Sequence, residues 1–267
     1  GASACDPHRL FPRLASEVFR HQTFGHNTVR VLESGRYVLR RVASADYEAA
    51  GRELELPTRG TIAISGGNGG LALVMAEHLL DLAEERGHAG FTLSLLSRSA
   101  KVSQGNESRW RLVQAKAAKL GVTAEQVSCD VSSQQAVEDF VQGLQGGLTG
   151  FIHTAAVLQD QMLANLTWEK FDTVFDPKHR AAMFMHAALE RHANPDLRFF
   201  WLFSSFVVFG NLGQLNYSAS NACLDALARY RVGRGRPGVA IQWGPWGEAG
   251  MATTMKEFSR SRKRTDA

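Results

Sequence analysis

The sequence predicts an α/β fold: a doubly wound parallel sheet, Rossmann-like, preceded by a small β-hairpin and helix. Three observations carry this. A β-branched run, Thr61-Ile62-Ala63-Ile64, feeds the loop Ser65-Gly66-Gly67-Asn68-Gly69-Gly70, and an apolar series at helical spacing follows (Leu71, Val74, Met75, Leu79, Leu82). Further apolar runs alternate with helical stretches along the chain, the pattern of parallel strands joined by crossover helices. The length, 267 residues, suits one such domain with a small appendage.

In order, residues 1–58 differ from the rest. Leu14 to Phe24 predicts a short helix, and Thr28–Leu32 with Tyr37–Val42 predicts two strands around a Gly35 turn. Asp46 to Leu56 is polar and reads as a linker, so the boundary between appendage and main domain is placed at 58/59. The strand–glycine loop–helix unit over 61–82 presents main-chain N–H groups and a helix N-terminus to a pyrophosphate, and glycine permits the close approach. Phe91 to Leu96 is the next strand, ending in Ser97-Arg98-Ser99. A cation at this strand end favours the 2′-phosphate of NADP over the 2′-hydroxyl of NAD.

Lys101 to Leu120 reads as a loop and a helix, and Gln126 to Cys129 as a strand ending at Asp130-Val131, where a carboxylate can meet an adenine amino group. After a helix over Gln134–Leu144, the strand Gly150–His153 runs into Thr154-Ala155-Ala156, small residues against which a cofactor can lie. Trp168 to Phe175 begins a helix. Asp176 and Pro177 then read as N-cap and N1 of a long helix to about His192, with Lys178 in its first turn. A lysine there opposes the helix dipole, which suggests that its charge serves a local purpose. Phe199 to Leu227 reads as strand, Ser204-Ser205, a turn at Gly210 and Gly213, and a helix that places Tyr217 and Asn221 on one face. A hydroxyl at a strand end beside a phenol and an amide suits proton transfer. It also suits an ordinary strand–turn–helix with a half-buried tyrosine. Gly238 to Trp243 is the last strand, stopped by Gly244-Pro245-Trp246-Gly247, and the remainder could cover the pocket.

Composition narrows the class. Apolar content is 44% and charged content 21%, ordinary for a globular protein, and no apolar run reaches membrane-spanning length. Net charge is +4, with a basic cluster at Lys256, Arg260, Arg262, Lys263 and Arg264 that reads as a solvated tail and not as a nucleic-acid site. Cys5, Cys129 and Cys223 fit neither a metal-ligand spacing nor a disulfide framework; a reducing compartment follows, and no metal is expected.

Several segments together resemble the ketoreductase domains of modular polyketide synthases, within the short-chain dehydrogenase/reductase superfamily. They are ISGGNGGLA (64–72), LLSRSA (95–100), CDVSS (129–133), IHTAAVLQDQML (152–163), DPKHRA (176–181), LFSSFVVFGNLGQLNYSASNACLDALA (202–228) and IQWGPWGEAGMA (241–252), in order and at compatible spacing. The resemblance implies NADPH as cofactor, held by Ser65 to Leu71, Ser97, Arg98, Ser99, Asp130, Val131, Thr154, Ala155, Ala156, Lys178, Tyr217, Pro245 and Trp246. It implies that Tyr217 protonates the carbonyl oxygen as hydride reaches carbon and that Ser205, with Ser204 as second choice, hydrogen-bonds that oxygen. Lys178 would lower the phenol pKa, and Asn221 would complete the polar relay. A phenol near pKa 10 is a poor donor unless a cation stabilises its phenolate.

Asp160, Phe209, Gln214 and Trp246 are the implied substrate and stereocontrol positions. Asp160 after the IHTAA stretch, and Phe209 where L-type members carry tryptophan, imply the D-hydroxyl (B-type) product. The implied partners are an acyl carrier protein bearing the thioester and the other domains of a parent synthase, in the cytoplasm or an organelle, without membrane or nucleic acid.

The chain departs from the family pattern at Ser65 (usually Thr), Ala72 (usually Gly), Gln159 (usually Asp) and Gln242 (usually acidic). Ser205 precedes Tyr217 by 12 positions, one fewer than usual, and the N-terminal piece is far shorter than the family's structural subdomain. Three readings follow: an NADPH-dependent β-ketoacyl reductase, a reductively silent NADPH-binding domain with a structural or epimerase role, and a free-standing dehydrogenase. Intact Lys178, Ser205, Tyr217 and Asn221 favour the first.

Overall fold

Strand β3 (Thr61–Ser65) is buried at every position, which is why its sequence is a continuous apolar run and not an alternation. The structure is a computed structural model that describes residues 29–32, 35–38, 54–192, 194 and 196–246. The chain divides into two units, Gly1–Glu53 and Leu54–Ala267. In the first, β1 (Val29–Leu32) and β2 (Gly35–Val38) pair antiparallel, Leu32 opposite Gly35. The second strand thus starts at Gly35 itself and not at Tyr37. The predicted helix at 14–24, most of the linker and the C-terminal cover lie outside the described residues.

In the second unit, β4 (Thr92–Ser97), β5 (Thr123–Ser128), β6 (Leu148–His153), β7 (Phe199–Ser205) and β8 (Val239–Trp243) join β3 in one six-stranded sheet of order β5-β4-β3-β6-β7-β8. Every pairing is parallel. Strand order reverses between β3 and β6, and the crevice beyond the strands' C-terminal ends at such a switch point is where this architecture binds ligands. The helices are α1 (Gly70–Arg86), α2 (Glu107–Leu120), α3 (Gln134–Gly143), α4 (Trp168–Phe175), α5 (Ala181–Arg191) and α6 (Leu215–Gly233). Two apolar clusters, one around Ile62, Ile64 and Leu79, the other around Phe151, Phe200 and Leu224, form the core. Leu56, at the end of the expected linker, belongs to the first. Fully burying each such side chain contributes about 1.5–3 kcal/mol.

Two expectations are corrected. The buried face of α1 is Ala72, Leu73, Met75, Ala76, Leu79, Leu80 and Ala83; of the expected stripe Met75 and Leu79 belong to it, and Leu71, Val74 and Leu82 are only partly buried. Asp176 is not an N-cap: its φ of −59° and ψ of −57° are helical, and Asp176–Arg180 form a π turn linking α4 directly to α5. Pro177 lies within a continuous helical path, and Lys178 sits in this wide turn and not at a helix N-terminus. Such π turns concentrate at functional sites.

Candidate active site

Two cavities meet at the switch point. The larger, about 700 Å³, is walled by Gly66, Asn68, Leu96, Ser97, Arg98, Ser99, Asp130, Val131, Ser132, Ala155, Ala156, Val157, Thr173, Asp176 and Pro177. The smaller, about 270 Å³, is walled by Leu71, Thr154, Ala156, Leu158, Lys178, Phe203, Ser204, Ser205, Phe206, Val207, Asn211, Gln214, Tyr217, Trp243, Gly244, Pro245 and Trp246. Ala156 lines both.

The larger cavity has the features a dinucleotide requires. Gly66 has φ +72°, and a Cβ there would lie 2.9 Å from the Ala155 nitrogen. A Cβ on Gly67 would come within 2.5 Å of the Leu95 main chain, so the loop lies directly on β4. Gln126 and Asn106 donate to the carbonyls of Gly67 and Asn68 and fix the loop. Helix α1 starts with no side-chain cap on Gly69, which leaves its first N–H groups free of one. The Ser97 hydroxyl is buried at the cavity wall without a partner, and Arg98 is exposed beside it. These residues fit a nicotinamide dinucleotide, which when bound supplies the hydride. Gly67→Ala is expected to destabilise the fold by about 1–3 kcal/mol through this clash, read as a lower Tm and weaker NADPH binding.

Lys178 is only 2% exposed. Its Nζ donates to the Phe203 carbonyl at 2.8 Å and lies 5.1 Å from the centre of the Tyr217 ring, a cation–π distance. Burial lowers its pKa from the ordinary 10.5 to about 7, against a raising influence of Asp225. Burial pushes the half-buried Tyr217 phenol upward, the Asn221 amide opposes, and the Asp160 carboxylate adds to the rise. Ser205 ends β7 with its hydroxyl engaged only loosely, accepting from Val207 N at 3.4 Å and donating to Trp243 O at 3.5 Å. The Ser204 hydroxyl points instead to the main chain of α6, donating to Asn221 O at 3.4 Å. A 3₁₀ turn, Phe206–Phe209, lies between Ser205 and Tyr217, and both of these residues line the smaller cavity. Buried cation, phenol and loosely held hydroxyl around one apolar-walled cavity can deliver a proton to a carbonyl oxygen and stabilise the phenolate left behind.

Not every candidate faces a cavity. Asn221 is fully buried; its Nδ2 donates to the Tyr217 carbonyl at 2.7 Å and its Oδ1 has no partner. Ser65 turns into the interior, and Gly69, Gly70 and Phe209 line neither cavity. Asp160 lies outside the smaller cavity but accepts from Gln214 Nε2 at 2.9 Å; Gln214 in turn accepts from Asn211 and does line it. Gln161 N donates to Gly213 O at 2.7 Å, tying the same two loops together. His153 and Asp225, both buried beside Lys178, escape a reading of spacing alone. The signal for His153 is a titratable residue closing a strand that has no other.

The KR domain family model matches residues 60–248. The chain therefore belongs to the ketoreductase domains of modular polyketide synthases, in the short-chain dehydrogenase/reductase superfamily. It is 34% identical over 235 residues to the polyketide synthase GfsA of Streptomyces halstedii, covering 87% of this chain and 3% of that protein. Among solved structures it is similar to A-type ketoreductases from a modular polyketide synthase (TM-score 0.74, 30% identity, 94% of this chain and 50% of that one). It is likewise similar to an A1-type ketoreductase (TM-score 0.73, 31% identity, 90% and 48%). The chain thus spans a small fraction of its curated relative and about half of each matched structure. No helix among the described residues is long and apolar enough to cross a membrane.

Proposed function

We propose that this domain reduces a β-ketoacyl thioester, carried on an acyl carrier protein, to the D-β-hydroxyacyl thioester with NADPH, as one step of polyketide or fatty-acid-like chain elongation. The observation that carries the reading is the convergence of Lys178, Ser205 and Tyr217 on one apolar-walled cavity that shares Ala156 with the glycine-loop cavity. Tyr217 gives its phenolic proton to the carbonyl oxygen. Ser205, which ends β7 in the wall of the cavity, holds that oxygen, and the Ser204 hydroxyl is turned to the main chain of α6. Lys178, desolvated against the ring, stabilises the phenolate, and Asn221 fixes the Tyr217 main chain. Arg98 favours the 2′-phosphate, hence NADPH over NADH. The acyl carrier, the neighbouring synthase domains and a cytoplasmic setting follow from the same reading.

The D-hydroxyl assignment rests on Asp160, hydrogen-bonded to Gln214 at the cavity wall, and on Phe209. The A-type description belongs to the two matched structures. The test is NADPH consumption with a β-ketoacyl thioester surrogate, followed by chiral separation. The expected product is mainly the D-hydroxyl epimer, with NADH a poor substitute. Mainly L-hydroxyl product would overturn the role of Asp160, whereas cofactor binding without turnover on several thioesters would overturn the reductase reading.

A further inference from the structure

His153 closes β6 with no solvent exposure. The parallel register sets it opposite Ser65, the last residue of β3 before the glycine loop. Its Nδ1 lies 2.6 Å from Ser65 Oγ, and its Nε2 lies 2.7 Å from the carbonyl oxygen of Lys178. A carbonyl only accepts, so Nε2 carries the proton; in a neutral ring Nδ1 then accepts from the Ser65 hydroxyl. Burial, with the Lys178 cation beside it, holds the imidazole pKa down to about 3 against the opposing pull of the Lys178 carbonyl, so the ring is neutral at physiological pH. Thr154 adds two hydrogen bonds to the Ser65 carbonyl, from its main-chain N and its Oγ1. Ser65 is therefore a fixed point.

The other end of the bridge is the π turn. The turn holds the Lys178 carbonyl in the interior, where it accepts the Nε2–H of His153, and a buried carbonyl that loses a donor is costly. We propose that His153 is a positioning residue: it braces the Lys178 main chain against the end of β3, so that the lysine and the glycine loop are held in one register. The proposal rests on reading Lys178 as the residue that serves Tyr217. Misplacing such a group by an ångström costs about 10²-fold in rate even when the change lies away from the reacting atoms.

Two amide replacements separate the ends of the bridge. In His153→Gln the amide lies near the position of Nε2 and can still donate to the Lys178 carbonyl. In His153→Asn it lies near Nδ1 and reaches only Ser65. The expected result, in the full chain with NADPH and a β-ketoacyl thioester, is a kcat loss of about 100-fold for Asn and under about tenfold for Gln, with KM for NADPH little changed in either. Equal losses in the two variants, or a loss confined to KM, would overturn the brace. Nitrogen-15 NMR of the unsubstituted full chain needs no variant to fold. A neutral Nε2–H ring from roughly pH 5.5 to 8 is expected, and titration of the ring in that range, or an Nδ1–H tautomer, would overturn it. If the unsubstituted chain reduces no thioester, the functional reading fails, and the ring measurement still decides for or against the brace.

Discussion

Tyr217→Phe is expected to lower kcat for thioester reduction by about 10²–10⁴-fold, the usual contribution of a positioned general acid. The substitution removes one hydroxyl from a half-buried ring and keeps the ring itself against Lys178 Nζ, 5.1 Å from the ring centre. Stability and NADPH affinity should therefore stay close to those of the parent, as read from thermal melts and cofactor titration. This separates a chemical loss from a structural one. Unchanged turnover in Tyr217→Phe would remove Tyr217 from the mechanism.

Lys178→Met is expected to produce a loss of similar size in kcat without loss of stability at acid pH. Burial has lowered the folded pKa of this lysine from 10.5 to about 7. A depressed lysine pKa means that the unfolded chain binds more protons between these two values, so stability rises with pH from about 7 to 10.5 and is lowest below 7, where the ammonium is charged in both states. Methionine removes that desolvation cost. It leaves the Phe203 carbonyl without the Nζ donor, at a cost of about 1–3 kcal/mol. At acid pH the first effect outweighs the second, and the variant should melt no earlier than the parent. Catalysis has the opposite dependence. Phenol and ammonium are both protonated at low pH, so kcat/KM for reduction should fall as pH rises through about 7, the value for Lys178. A rate that is flat from neutral to alkaline pH, or a Lys178→Met protein that melts well below the parent at acid pH, would contradict this account.

Strands buried on both faces are legible as apolar runs, and β3, β6 and β7 fall where the sequence places them, within a residue or two. Strand β5 is different. It is an edge strand, only partly buried, and begins at Thr123 in a polar stretch, so its first three residues carry no hydrophobic signal. The buried face of α1 takes in Leu73, Leu80 and three alanines, whereas Leu71, Val74 and Leu82 of the apolar stripe are only partly buried. The π turn is hidden because Asp-Pro ordinarily opens a helix, and nothing local says that the preceding helix continues through it. At the site, Tyr217 and Asn221 share a helix face as their spacing requires, yet the Asn221 amide serves its own helix. His153 becomes visible only when the register of β3 against β6 is known, because its two partners lie 88 and 25 positions away.

The wall between the two cavities is made largely of two short chain segments, 154–158 and 176–178. Along them neighbours face opposite ways: Thr154 and Ala155, Val157 and Leu158, Pro177 and Lys178. Among the described residues only Ala156 belongs to both sides. The partition makes the domain separable for engineering. Phe206, Val207 and Asn211 line only the cavity that holds Tyr217, so they can be varied without altering a residue of the glycine-loop cavity. Arg98, Asp130 and Ser132 line only the glycine-loop cavity and can be varied without altering a residue of the other. At Ala156 the two selections collide, since any larger side chain narrows both chambers at once.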